Sequence, residues 1–216
     1  MLSDTQRREA AEALLAADRA RKPIPQLSRT YPGMTLEDAY AVQGLWAQAL
    51  IHGGSRRVGT KIGLTSRAMQ MASGITEPDY GFLMDDMLYN DGAQIAVGRF
   101  MAPRLEVELA FVMGEDLEGP TARVHDVMRA TQFVVPALEI IDYRTETPRQ
   151  IVDTISDNAA AAGWPITAAE TPDSSMTPFL DRVAPTQRTS TSNGRTVRPP
   201  TTMAAAAALS AMVSTI

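Results

Sequence analysis

The texture of the chain breaks at Gly163, and that break limits most strongly what the chain can fold into. Of the 53 residues from 164 to 216, 31 are Thr, Ala, Pro or Ser, and no apolar face repeats among them. Such a stretch buries too little apolar surface to offset its own chain entropy. The hydrophobic core is therefore expected within residues 1–163, with 164–216 as an atypical tail, disordered or out of frame. The alanine run at 204–208 favours a helix on propensity alone. No internal repeat points to a solenoid.

Composition narrows the chemistry further. The 216 residues suffice for one large domain or two small ones, and 44% hydrophobic against 21% charged residues is an ordinary globular balance. A net charge of -5 argues against a protein held to nucleic acid by backbone electrostatics. With no cysteine, disulfides, thiolate zinc sites and cysteine nucleophiles are excluded. Only His52 and His125 carry imidazole, so a metal here would sit on carboxylates and be a hard cation. The first 22 residues are too charged for a secretory leader, and no apolar run is long enough to span a membrane. A soluble cytoplasmic protein is expected.

Residues 4–21 read as an amphipathic helix with Ser3 or Asp4 as its cap and Ala10, Ala13, Leu14 and Ala17 on one face. Thr35, with Asp38 three residues on, opens a second helix carrying Ala39, Val42, Leu45, Trp46 and Leu50. Gly53-Gly54 closes it. Beyond these helices VGTKIGL, TEPDYGFLM, QIAVGRFM, RLEVELAFVM and FVVPALEIID are short, β-rich and punctuated by glycine or proline. A helix is expected over 124–132. The pattern predicts an N-terminal helical segment, 1–57, then a mixed-sheet core with little helix, 58–163.

Three signals carry chemistry. In a strand, side chains two apart share a face, so in RLEVELAF Glu106 and Glu108 stand together while Leu105, Val107 and Leu109 point the other way. Adjacent carboxylates repel, which raises one pKa or calls for a cation. Glu139 is an isolated charge in the apolar run VVPALEII and needs a partner if buried. Three carboxylates and waters would suit Mg2+ or Mn2+. The competing reading makes Glu106 and Glu108 a wet strand face and pairs Glu139 with an arginine. The second signal is Lys61, bracketed by Gly59 and Gly63, and Asp79 after Pro78. Lys61 is either a surface stem or a site cation, and Asp79 a turn former or a site acid. Met69, Met71, Met84 and Met87 read as core or gap filler. The third signal, VDTISDNA, crowds hydrogen-bonding side chains together, either for a site or as a helix N-cap on Ser156 or Asp157.

These runs together resemble the hydratase branch of the fumarylacetoacetate hydrolase superfamily. The resemblance rests on DAYAVQ at 38–43, KIGLTSRAMQ at 61–70, EPDYGFLMDDM at 77–87, PRLEVELAFV at 103–112, VPALEIID at 135–142 and DTISDNAAAAG at 153–163. It covers about residues 1–163. It implies an α+β fold, a mostly β mixed-sheet core of the fumarylacetoacetase C-terminal type with N-terminal helices. It implies Glu106, Glu108 and Glu139 as ligands of one Mg2+ or Mn2+, and Lys61 and Asp79 as the site lysine and aspartate. Ser156, Asp157 and Arg67 are further candidates for holding substrate, Arg67 for a distal carboxylate. The implied reaction is hydration of 2-oxohept-4-ene-1,7-dioate to 4-hydroxy-2-oxoheptanedioate in homoprotocatechuate (4-hydroxyphenylacetate) catabolism. EPDYGFLMDDM favours that dioate over 2-hydroxypentadienoate. The family also implies a homo-oligomer.

The family continues with β-rich text for which 164–216 shows no counterpart, so the core is expected to be incomplete at its C-terminus. A frameshift near codon 163 is the expected cause, and a chain of poor stability and little activity the expected result. Two other readings stand beside the hydratase: a 2-oxo-3-enedioate decarboxylase, and a non-catalytic fragment or subunit bound to a related decarboxylase.

Overall fold

The computed structural model describes residues 1–73, 75, 78–90, 92–117 and 122–165. Three helices lead the chain. α1 spans Asp4–Ala20 and is opened by a reciprocal cap: the Gln6 N–H donates to Ser3 Oγ at 3.3 Å and the Ser3 N–H to Gln6 Oε1 at 2.9 Å. α2 is one turn, Leu27–Thr30. α3, Leu36–His52, starts on Thr35 and Asp38 and ends at Gly53, as its sequence predicts. The Asp38 carboxylate does more than cap. It also accepts from the Leu2 N–H at 3.0 Å and from Arg7 at 2.7 Å, so it ties α1 to α3.

The apolar faces of these helices share one core with later elements. Ala10, Leu14, Leu27, Val42 and Trp46 pack with Tyr80, Phe82, Met84, Val152 and Ile155. The last two belong to α6, Ile151–Ser156. The helical segment thus has no separate core; it is the lid of a shared one.

β1, Arg57–Gly63, pairs antiparallel with β2, Asp79–Met84, and α4, Arg67–Ser73, lies between them in sequence. The larger sheet has the order β3-β6-β5-β4. It comprises β3 (Leu88–Tyr89), β4 (Arg104–Met113), β5 (Thr131–Ile141) and β6 (Ala161–Pro165). β3 and β6 run parallel and the other pairs antiparallel, so the sheet is mixed. α5, Val124–Ala130, precedes β5 directly.

Three expectations are corrected. QIAVGRFM is not a strand; it holds a 3-10 turn, Val97–Arg99, because Val97 stays exposed with nothing to pack against and Gly98 weakens any strand. Beyond β1, Ser66 Oγ accepts the Met69 N–H at 3.2 Å and opens α4. Met69 and Met71 on α4 are exposed, whereas Met84 and Met87 are core. The packed chain also runs past Gly163, since Trp164 is buried in β6 opposite Leu88. The expectations for residues 166–216, including the alanine-run helix, lie outside the described residues.

Candidate metal centre

The site is built on the β4–β5 ladder. Glu106 lies directly opposite Glu139 in the antiparallel register, and Glu108 is one pleat further on the same face, opposite Ala137. The three carboxylates each offer an oxygen within 4.8 Å of the others. Glu139 is buried because β5 is covered by β6 on one side and β4 on the other. Burial pushes its carboxyl up to about 7, with Glu106 and Glu108 adding to the rise and Lys61 opposing it. Burial and the Glu106 charge likewise push Glu108 up.

Lys61 comes from β1 and is only 6% exposed. Its Nζ stands 2.9 Å from Glu139 Oε1 and donates to the Ala159 carbonyl at 2.8 Å. Burial alone would lower its pKa, but Glu139, Asp79 and Glu106 outweigh that and hold the ammonium charged. The surface-stem reading of Lys61 and the arginine partner for Glu139 are thereby corrected: the pairing is Lys61 with Glu139. Asp79 is no turn former either. It opens β2, buried, opposite Gly63 on β1. A Cβ at Gly63 would fall 2.2 Å from Asp79 Oδ1, so only glycine leaves room for that carboxylate. Burial pushes the Asp79 carboxyl up, while Lys61 and the backbone N–H groups of Asp79 and Gly63 pull it down.

The carbonyl that holds Lys61 sits on an unusual turn. Asn158, Ala159 and Ala160 all have left-handed backbones, with φ of 53, 50 and 62°. Three consecutive non-glycine residues there are strained and need support from outside. Asn158 provides it, accepting the Phe82 N–H at 2.7 Å and donating to the Phe82 carbonyl at 2.8 Å. Gly81 lets the turn approach β2, since a Cβ there would lie 2.4 Å from the Asn158 carbonyl. Arg144, buried, donates to Asp157 Oδ1 at 2.8 Å and reaches Asp18 at 3.3 Å.

The structure thus brings Glu106, Glu108, Glu139 and Lys61 together, with Asp79 near enough to feel Lys61 and Glu106. It does not bring in the other three candidates. Ser156 Oγ donates to the Val152 carbonyl at 2.7 Å within α6. Asp157 is committed to Arg144, and it ends α6 instead of capping its start, because Gln150 and Asp153 form the N-terminal cap. Arg67 is exposed on α4. The Asn158 brace lies within the VDTISDNA motif but is not singled out by its spacing.

The donor set fits a hard divalent cation. All its ligands are oxygens, and like charges are crowded at a distance that favours a cation between them. Glu139 Oε1 is buried and stands 2.9 Å from the Lys61 ammonium, whose single positive charge offsets only part of the charge of the three carboxylates.

No family model matches the chain. It is 51% identical over 160 residues to a 2-oxo-hept-4-ene-1,7-dioate hydratase from Escherichia coli, covering 71% of this chain and 60% of that protein. It is 35% identical over 154 residues to a 2-hydroxypent-2,4-dienoate hydratase from Pseudomonas putida, covering 70% of this chain and 69% of that one. Its fold matches the solved 4-oxalocrotonate decarboxylase from Pseudomonas putida G7, complexed with magnesium and adipate. There the TM-score is 0.74 at 31% identity, over 77% of this chain and 64% of that chain. The chain therefore spans about three fifths of the length of the first of these relatives.

Proposed function

Because the chain belongs to the hydratase and decarboxylase branch of the fumarylacetoacetate hydrolase superfamily, we propose that it serves the hydration of 2-oxohept-4-ene-1,7-dioate to 4-hydroxy-2-oxoheptanedioate in aromatic catabolism. The observation that carries this reading is the convergence of Glu106, Glu108 and Glu139 within 4.8 Å beside a buried lysine. We assign Mg2+ to the triad, with Mn2+ as a substitute of the same ligand preference. When bound, such a cation supplies Lewis acidity toward the carboxylate and keto oxygen of a 2-oxo acid.

The chain's own residues supply the rest. Lys61 keeps a positive charge beside the triad, and we assign it the stabilisation of negative charge developing on the substrate oxygen. We assign Asp79 the proton transfer, because burial raises its carboxyl toward the working range of a general acid and base. It takes a proton from C3 and returns one to C5, which moves the double bond into conjugation with the keto group. Water then adds its hydroxyl at C4 and a proton at C3. The site wall formed by Gly63, Gly81 and the 158–160 turn keeps Lys61 and Asp79 in place.

Incubation of the chain with Mg2+ and the enedioate, followed by mass spectrometry, tests the reading. The expected product gains one water and releases no CO2. Release of CO2 would instead favour the decarboxylase reading, which the fold match to a decarboxylase supports. Among the described residues no helix is long and apolar enough to cross a membrane. We place the chain in the cytoplasm as a homo-oligomer, a reading that cell fractionation and mass photometry, with and without a related decarboxylase, test directly.

A further inference from the structure

Two arginines stand at the end of the carboxylate ladder and, among the described residues, form no ion pair. Arg104 begins β4 two residues before Glu106, on the same face and opposite Ile141. Two residues past Ile141 is Tyr143, and the Arg149 guanidinium lies over its ring at 3.7 Å. Asp142, between them, accepts the Met101 and Ala102 N–H groups at 2.7 and 2.8 Å, so the approach to Arg104 is pinned to the same loop. Arg149 and Arg104 lie close enough to repel one another, and Tyr143 feels both Lys61 and Glu106.

Neither arginine forms a salt bridge among the described residues. Arg149 is half-buried, its Nε bonded to the Thr145 carbonyl at 2.9 Å. Among the described residues its Nη1 donates to nothing, which leaves that edge of the fork for a ligand. Two like charges within electrostatic reach of one another, one of them stacked and half-buried and only partly offset by Asp157 and Asp153, favour an anion that joins them.

Resting on the 2-oxo-dioate reading above, we propose that Arg149 and Arg104 bind the distal carboxylate of the substrate and set its preference for a dioate over a monoacid. The dimensions agree. A two-residue step along a strand is about 7 Å. Six carbon–carbon bonds of about 1.5 Å span roughly 7–8 Å when extended. A seven-carbon dioate with its keto-acid end at the glutamates therefore reaches the arginines. Arg67, exposed on α4, is not needed for this role.

The test is calorimetric binding in saturating Mg2+ of two unreactive probes, 2-oxoheptanedioate and 2-oxoheptanoate, which differ only in the distal carboxylate. The unaltered chain is expected to bind the dioate about tenfold more tightly, the size of a charge-assisted hydrogen bond. In the Arg104→Gln/Arg149→Gln variant the dioate affinity falls to that of the monoacid, while the monoacid affinity is unchanged. Arg104→Gln alone, at an exposed strand start, loses part of the preference and leaves the fold intact. Equal binding of both probes by the unaltered chain, or a preference that survives in the variants, overturns the arginine subsite but leaves the keto-acid site standing. Failure of either probe to bind with Mg2+ overturns the function proposed above and the subsite with it.

Discussion

The helical lid and the β4–β5 ladder solve opposite problems. In the lid, small and large apolar residues alternate and Leu14, Val42 and Ala39 are fully buried. Inside it, the Asp38 carboxylate and the Gln43 Nε2 are matched by hydrogen bonds. In the ladder one face crowds three carboxylates, and the other leaves Leu105, Val107 and Leu109 exposed, Val107 at 85%. On the function proposed above, the lid holds stability and the ladder holds chemistry. Burial lowers free energy where groups are paired, and reactivity needs groups that are not.

The largest expected effect is in the lid. Leu14→Ala should cost about 2–5 kcal/mol through lost burial and the cavity left behind, read from denaturant unfolding. A loss under about 1 kcal/mol would mean the lid is not the stabilising half. Next, Glu139→Gln should weaken Mg2+ binding by about a hundredfold or more in calorimetry. Retained affinity would separate the triad from metal binding.

The pH dependence follows in size. Burial raises Glu139 to about 7 and Asp157 to about 6, Arg144 opposing the latter. The folded chain therefore holds protons that the unfolded chain has already released. That stability is complete below the ordinary carboxylate range and is lost as pH rises through these values, in metal-free protein. Mg2+ favours ionised Glu139, so its stabilisation should grow over the same rise. Urea midpoints measured with and without Mg2+ check both signs. The smallest effect belongs to the open ladder face: Val107→Thr should change stability by less than about 0.5 kcal/mol. A cost near that of Leu14→Ala would show that this face is covered in solution.

Much of this was legible in residue spacing. The caps Ser3 and Thr35 and the strands around Glu106 and Glu139 each follow from neighbours a few positions apart. The alternation that puts Glu106 beside Glu108 is a property of any strand. What local pattern could not reveal was pairing across long separations. Lys61 and Glu139 meet through β1 and β5, and the Ala159 carbonyl completes the arrangement. Asp157 looked like a ligand for something and proved to be bonded to Arg144. QIAVGRFM has strand-like composition, but among the described residues no strand pairs with it.

By itself the sequence determined which residue types were present to do chemistry, and that oxygen, not sulfur or imidazole, would hold any metal. It also determined, through turn and cap signals, most of the short-range structure. The tertiary structure alone decided which glutamates face one another, that Lys61 is buried, and that Arg104 and Arg149 share an end of the ladder. Spacing along the chain sets only neighbours within a turn or a pleat. Register and sheet order set the rest, because distant groups meet only when the core between them has closed.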